Sequence, residues 1–209
     1  AAGYDGYVGA TSVNYGFATY ESGAGIRMLT GAMMTSGFTS SNSSSNLGLA
    51  GTDAVPLGGA TINSLTMTKG TPVVNFSSAN DVLTIASGGV LAGVQAFSKT
   101  IGSTSVPGRL TSGAGELFLH TGNTGGNQLT VNSQIIGNNA LVIDAMGTTG
   151  AVSLNGGNIA LSTPILTSGS NVVSVASTAG VQVGMTVSGA FLPLGTTVTA
   201  IPNATTLVL

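Results

Sequence analysis

The feature that most constrains this chain is the stretch Gly113–Asn158, where four short runs alternate apolar and polar residues. The runs are Glu116–His120, Gln128–Asn132, Ala140–Asp144 and Ala151–Asn155, and each leads into a cluster of Gly, Asn and Thr. Such clusters turn a chain at low steric cost. The runs recur about a dozen residues apart, the spacing of short strands joined by regular turns. Within the first run Leu117 and Leu119 point one way, while Glu116, Phe118 and His120 point the other. Short strands repeated with no helix between them predict a solenoid or a stacked array.

Composition supports a packed core rather than a linker. Only ten of the 209 residues are charged, yet 42% are hydrophobic, and Gly supplies 33 positions. A surface without Lys and Glu must be built from hydroxyls, amides and backbone. Stacked coils give a reason for this, because like charges in adjacent coils would stand about 4.8 Å apart. The four basic residues, Arg27, Lys69, Lys99 and Arg109, are scattered singly. A nucleic-acid groove needs clustered cations, so nucleic acid is not an expected partner. Gly, Ser, Thr and Asn interrupt every apolar stretch well short of the length that crosses a bilayer, which excludes a transmembrane helix. A membrane β-barrel shares the alternation but needs aromatic girdles, and aromatic residues are sparse beyond the N-terminus. With no Cys, disulfides and thiolate metal sites are excluded. The start on Ala-Ala-Gly fits a signal-peptide cleavage point or an excerpt from a longer polypeptide.

Three segments are expected. Residues 1–60 form an N-terminal capping or docking segment followed by a Ser/Asn/Gly-rich surface loop. Tyr4, Tyr7, Tyr15, Phe17 and Tyr20 concentrate here, either to close the open end of a first coil or to contact another subunit. Residues 61–165 form the β-helix coils, with further strands at Thr61–Thr68, Pro72–Ser77, Asp81–Ala86 and Val90–Gln95. The equal spacing of Phe76, Phe97 and Phe118, close to one coil of a β-helix, predicts an aromatic stack in register along the axis. Residues 166–209 form a small all-β module with strands at Val172–Ala176, Val181–Val187, Thr196–Ile201 and Thr205–Leu209. Its last strand, with Thr205, Leu207 and Leu209, is expected to lack a partner in the chain and to pair with a neighbouring subunit. The fold class is therefore all-β, a parallel β-helix followed by a small β module. A sandwich is the competing architecture, since Gly122-Asn123 and Gly137-Asn138 can make hairpin turns.

The motifs in Gly113–Asn158 also carry a resemblance. The opening GxGELxxHxG, the centre LTVNSxIxGN and the close ALVIDAMGTTGAVSLNGGN resemble the autotransporter-associated β-strand repeat of large bacterial surface proteins. The resemblance spans Thr61–Asn158 and implies a right-handed parallel β-helix in an exported passenger, adhesin or extracellular fibre. The C-terminal stretch GSNVVSVASTAGVQVGMTVSGAFLPLGTTVTAI is similar to modules of repeat-rich surface and phage-related proteins.

Catalysis needs ionisable groups that converge, and the sequence offers few. His120 is the one histidine, and Glu116 lies on the same strand face about 13 Å along an extended chain, too far for a direct pair. Asp53, Asp81 and Asp144 are far apart in sequence and meet only if coils stack them. GxSxG, P-loop and HExxH motifs are absent, as is the Gly-Gly-x-Gly-x-Asp calcium repeat. An opportunistic calcium site at Asp81 and Asn75 is the exception worth locating. The expectation is a non-enzymatic extracellular structural protein at a bacterial surface, without cofactor or metal, associating with itself as a fibre, surface layer or adhesin. The competing reading is a carbohydrate-binding or carbohydrate-cleaving β-helix with a surface glycan as partner.

Overall fold

The computed structural model describes residues 16–68, 70–93, 97–122, 128–145, 150–156 and 161–209. The chain divides into two compact units, Ala1–Asn158 and Ile159–Leu209.

The first unit opens with an antiparallel hairpin, β1 (Ala18–Glu21) and β2 (Gly25–Met28), and a short β3 (Met34–Thr35). Strands then come in triplets. The first is β4 (Asn46–Leu49), β5 (Thr52–Val55) and β6 (Ala60–Ile62). The second is β7 (Ser64–Met67), β8 (Val73–Phe76) and β9 (Val82–Ile85). The third is β10 (Gly89–Ala92), β11 (Lys99–Ile101) and β12 (Arg109–Ser112). The fourth is β13 (Glu116–Thr121), β14 (Gln128–Val131) and β15 (Gln134–Ile135), and β16 (Ala140–Ala145) and β17 (Ala151–Leu154) follow. From β4 to β14 each strand pairs in parallel with the strand three places later, giving three sheets of order β3-β4-β7-β10-β13-β16, β5-β8-β11-β14-β17 and β6-β9-β12-β15. The unit is thus all-β with stacked parallel sheets, compatible with a β-solenoid and at odds with the antiparallel hairpins of a sandwich.

Alternation fills the space between the sheets. Leu47, Leu65, Val90 and Leu119 stand in one column of the first sheet, and all four are fully buried. Val74, Ile101 and Val131 do the same in the second sheet, and Ile62, Ile85 and Leu110 line the third. The corners explain the hydroxyl- and amide-rich composition. Ser77 Oγ donates to Val55 O, Ser87 Oγ to Asn63 O and Ser133 Oγ to Pro107 O, each bond tying one triplet to its neighbour. Asn63 Nδ2 donates to Asn46 Oδ1, and Asn155 Nδ2 to Asn132 Oδ1, whose own Nδ2 reaches Gly102 O. Corner carbonyls that a sheet cannot pair are satisfied this way. At one corner Gly108 has φ +62°, and a Cβ there would lie 2.1 Å from the Phe76 ring.

Three expectations need correction. The stacked array begins at Met34 and Asn46, not at residue 61, because the Ser/Asn-rich stretch expected as a surface loop runs into the first triplet. The phenylalanines do not stack. Phe76 belongs to β8 and points into the core, Phe118 belongs to β13 and points outward, and Phe97 lies half-exposed outside any strand. The reason is the step from triplet to triplet. The column Leu65, Val90, Leu119, Ile143 advances by unequal steps, each longer than the interval between the phenylalanines, so that interval cannot hold register. Tyr20, the one tyrosine among the described residues, does not close the first end. Tyr20 is 75% exposed, Phe17 lies on the outer face of β10 with its ring against Gly89, and Tyr4, Tyr7 and Tyr15 lie outside the described residues. Phe38 is a buried aromatic at that end. It sits in the 3-10 turn Phe38–Ser40, is 3% exposed, and joins the core beside Leu47 and Val55.

The second unit is an antiparallel sheet of order β18-β19-β21-β20, with β18 (Ile165–Leu166), β19 (Val172–Ser174), β20 (Ala200–Asn203) and β21 (Thr206–Val208). Its core is Val173, Val175, Val198 and Leu207. Val181–Val187 forms no strand and contributes one bridge, Thr186 to Thr197. The terminal strand is not unpaired. β21 lies between β19 and β20, Leu207 is fully buried, Leu209 donates its N–H to Asn171 O, and Thr205 is a turn residue bonded to Asn203. The apolar alternation of this segment serves the module's own core.

Candidate functional site

Among the described residues, the outer face of the first sheet carries the one convergence of ionisable groups beside a cavity. In β13, Leu117 and Leu119 point inward, which turns Phe118 and His120 outward. Parallel register then sets Val142 beside Phe118 and Asp144 beside His120. His120 Nδ1 lies 2.8 Å from Asp144 Oδ2, and the Asp144 side chain is 60% exposed. The carboxylate orients the ring and leaves Nε2 as its second polar atom. Leu91, Phe118, Val142 and Phe17 complete a groove of about 530 Å³ around the pair. Among the described residues that line the groove, none bears a hydroxyl. The groove offers apolar faces and one hydrogen-bonding edge, the make-up of a binding surface.

Two further carboxylates, Asp53 and Asp81, are committed to the fold. Asp53 Oδ2 accepts the Phe38 N–H at 2.8 Å and Oδ1 accepts the Ala54 N–H, so this side chain holds the closing turn in place. Asp81 Oδ1 accepts from Gly58 N and Oδ2 from Ser78 N, joining two corners, and Asn75 belongs to β8. Among the described residues, no three His, Cys, Asp or Glu side chains gather to hold a metal ion. Arg109 reaches Asn80 Oδ1, and Arg27 pairs with Glu21 within the hairpin. Lys99 is fully buried at the start of β11, its Nζ donating to Phe97 O, and burial lowers its pKa to about 8. Among the described residues no helix is long and apolar enough to cross a membrane.

The second candidate surface is the far edge of the stack. β16 is hydrogen-bonded to β13 on one side and is the edge strand of its sheet among the described residues. Leu141 and Ile143 continue the core columns above Leu117 and Leu119 but are 39% and 46% exposed, and Leu154 of β17 is 42% exposed. Ala140 N–H bonds to Gly115 O, so by alternation the polar groups of Leu141 and Ile143 face away from β13, toward the open side. Sequence reasoning missed both sites for one reason. The His120–Asp144 contact and the bare edge depend on register, and register depends on corner lengths that the residues do not announce. The inward and outward parity, readable from alternation, was the available signal.

Comparison with protein-family models, curated proteins and solved structures finds no match to this chain.

Proposed function

We propose that this chain is a non-enzymatic structural subunit, built on a right-handed parallel β-helix, that associates with itself at a bacterial cell surface. The observation that carries the reading is the edge at β16, where core residues Leu141 and Ile143 stand exposed beside outward-facing backbone groups. An exposed strand edge is a template for another chain, and natural proteins that avoid pairing blunt such edges with Lys, Pro or bulges. β16 has the sequence Ala-Leu-Val-Ile-Asp-Ala, without Lys or Pro, and pairs with β13 in unbroken register. The β-helix reading is supported by the pairing of each strand with the third strand after it, and the right hand by the preference of parallel crossovers. The surface location is supported by the resemblance of Gly113–Asn158 to the autotransporter-associated repeat. Electron microscopy and sedimentation over a concentration series test the proposal. Assemblies that grow with concentration support it, and isolated single chains at every concentration overturn it.

A carbohydrate-binding reading is favoured by a separate observation, the outer groove, where Phe17 and Phe118 flank the His120–Asp144 pair. Ring faces pack on the apolar side of a sugar while the polar edge meets its hydroxyls. Titration with a panel of surface glycans checks it: binding that is lost in His120→Ala supports this role, and no binding to the unaltered chain removes it.

A further inference from the structure

The two ends of the stacked array are not equivalent, and their difference dictates how two copies can meet. At the first triplet β3 pairs with β4, Phe38 is buried in the core cluster, and Leu47, Leu49, Val55 and Ile62 are all 3% exposed or less. Addition of a second copy head to tail, with β16 laid on the first triplet, would require this closure to be displaced. Among the described residues nothing pairs with the open edge of β16, and a second copy presents the same edge. At six residues β16 also outreaches β17, with four, and β15, with two, at the ends of the other two sheets.

We infer that two copies pair through β16 about a two-fold axis, the strands running antiparallel with Val142 opposite Val142 of the second copy. The inference rests on the self-association reading and specifies its contact. A two-fold contact uses the same patch on both subunits, and identical strands related this way run antiparallel. Side-chain parity restricts the register, because a slip by one residue would turn Leu141 and Ile143 out of the core. Centring on Val142 places Leu141 opposite Ile143, so the buried columns of one copy run into those of the other. It also places Asp144 opposite Ala140 and keeps the two carboxylates farther apart than centring on Ile143 would. The hydrogen bonds agree. Leu141 and Ile143 direct their backbone groups outward and form the bonded pairs, while Val142, whose groups face β13, falls at a non-bonded pair. Non-bonded pairs bring Cα atoms to about 4.5 Å. Asp144 Oδ2 lies 2.8 Å from His120 Nδ1 within its own copy, so the carboxylate keeps a polar partner at the contact. Such a pair closes on itself, so a longer fibre needs a second contact elsewhere on the molecule.

The chain has no Cys, so single-thiol variants report contacts directly. The full chain carrying Val142→Cys or Ile143→Cys is oxidised under dilute conditions and compared on non-reducing gels, alongside sedimentation of the unaltered chain. At the predicted register Val142→Cys gives a disulfide-linked dimer in high yield, since Cα atoms at a non-bonded pair lie within the span of roughly 4.4–6.8 Å that a disulfide bridges. Ile143→Cys, offset diagonally from its copy by about 7–8 Å, stays largely uncrosslinked. Leu141→Lys, which puts a charge on the edge, weakens dimerisation at least about tenfold without changing the secondary structure. Preferential crosslinking of Ile143→Cys overturns the register. An unaltered chain that dimerises while neither thiol crosslinks overturns the contact and leaves self-association standing on another surface. A chain that is monomeric at every concentration overturns both.

Discussion

At the first triplet the array buries Leu47, Leu49, Val55 and Ile62, with Phe38 in the same core cluster, whereas at its last strands the equivalent positions Leu141, Ile143 and Leu154 meet solvent. The strands at both ends are short, apolar and uncharged apart from one Asp each, so propensity does not distinguish them. What differs is what the chain places beyond them. Before β4 it builds a 3-10 turn, and Asp53 holds that turn through the Phe38 N–H. Beyond β16 the described residues supply no such turn. A parallel stack does not end by itself, because every strand presents the same edge to the next. Closure has to be built from a different kind of element, and here β3 pairs with β4 while the turn held by Asp53 buries Phe38.

The comparison can be broken most strongly at the closed end. Phe38→Ala removes a buried ring and is expected to cost about 3–5 kcal/mol, read as a fall in the urea midpoint. Gly108→Ala acts in the middle of the array, where a methyl at positive φ meets the Phe76 ring, and a loss of roughly 2–3 kcal/mol is expected. If it costs as much as Phe38→Ala, closure has no special weight. Asp53→Ala leaves the Phe38 N–H without its acceptor and is expected to cost about 1–3 kcal/mol. Lys99 sharpens the picture through pH. Its folded pKa of about 8 lies below the ordinary value of 10.5, so between these values the unfolded chain binds more protons. Stability therefore rises as pH climbs from about 8 to about 10.5, and Lys99→Met is expected to flatten that slope of the urea midpoint. The smallest effect belongs to the open end. Ile143→Ala in dilute solution is expected to cost under about 1 kcal/mol, because that side chain is half-exposed until a second copy covers it.

The sequence disclosed parity better than position. Leu117 and Leu119 inward with Phe118 and His120 outward, the strands at Pro72–Ser77 and Asp81–Ala86, and the all-β class were all readable from alternation. Asn46–Leu49 and Thr52–Val55 were not, because Gly48 and Asp53 break the apolar rhythm inside a Ser/Asn-rich surround. The same small polar residues that signal a loop are those that pair corners between triplets, as Asn46 and Asn63 do. Register was lost for a related reason. Corners lengthen freely on the outside of a stack, so the steps from Leu65 to Val90, Leu119 and Ile143 differ and carry no fixed period from which to find the Asp144 partner of His120. In the second unit the final alternation was legible as a strand, but its pairing with both β19 and β20 is not encoded in alternation.

Backbone hydrogen exchange, followed residue by residue at two protein concentrations far apart, addresses the asymmetry of the ends most directly. The amides of Leu141 and Ile143 are predicted to exchange fast in dilute solution and to gain protection as concentration rises, while those of Asn46–Leu49 keep the same protection throughout. Leu141 and Ile143 amides equally protected at both concentrations, or unprotected at both, would contradict the account that this edge is open and receives a second copy.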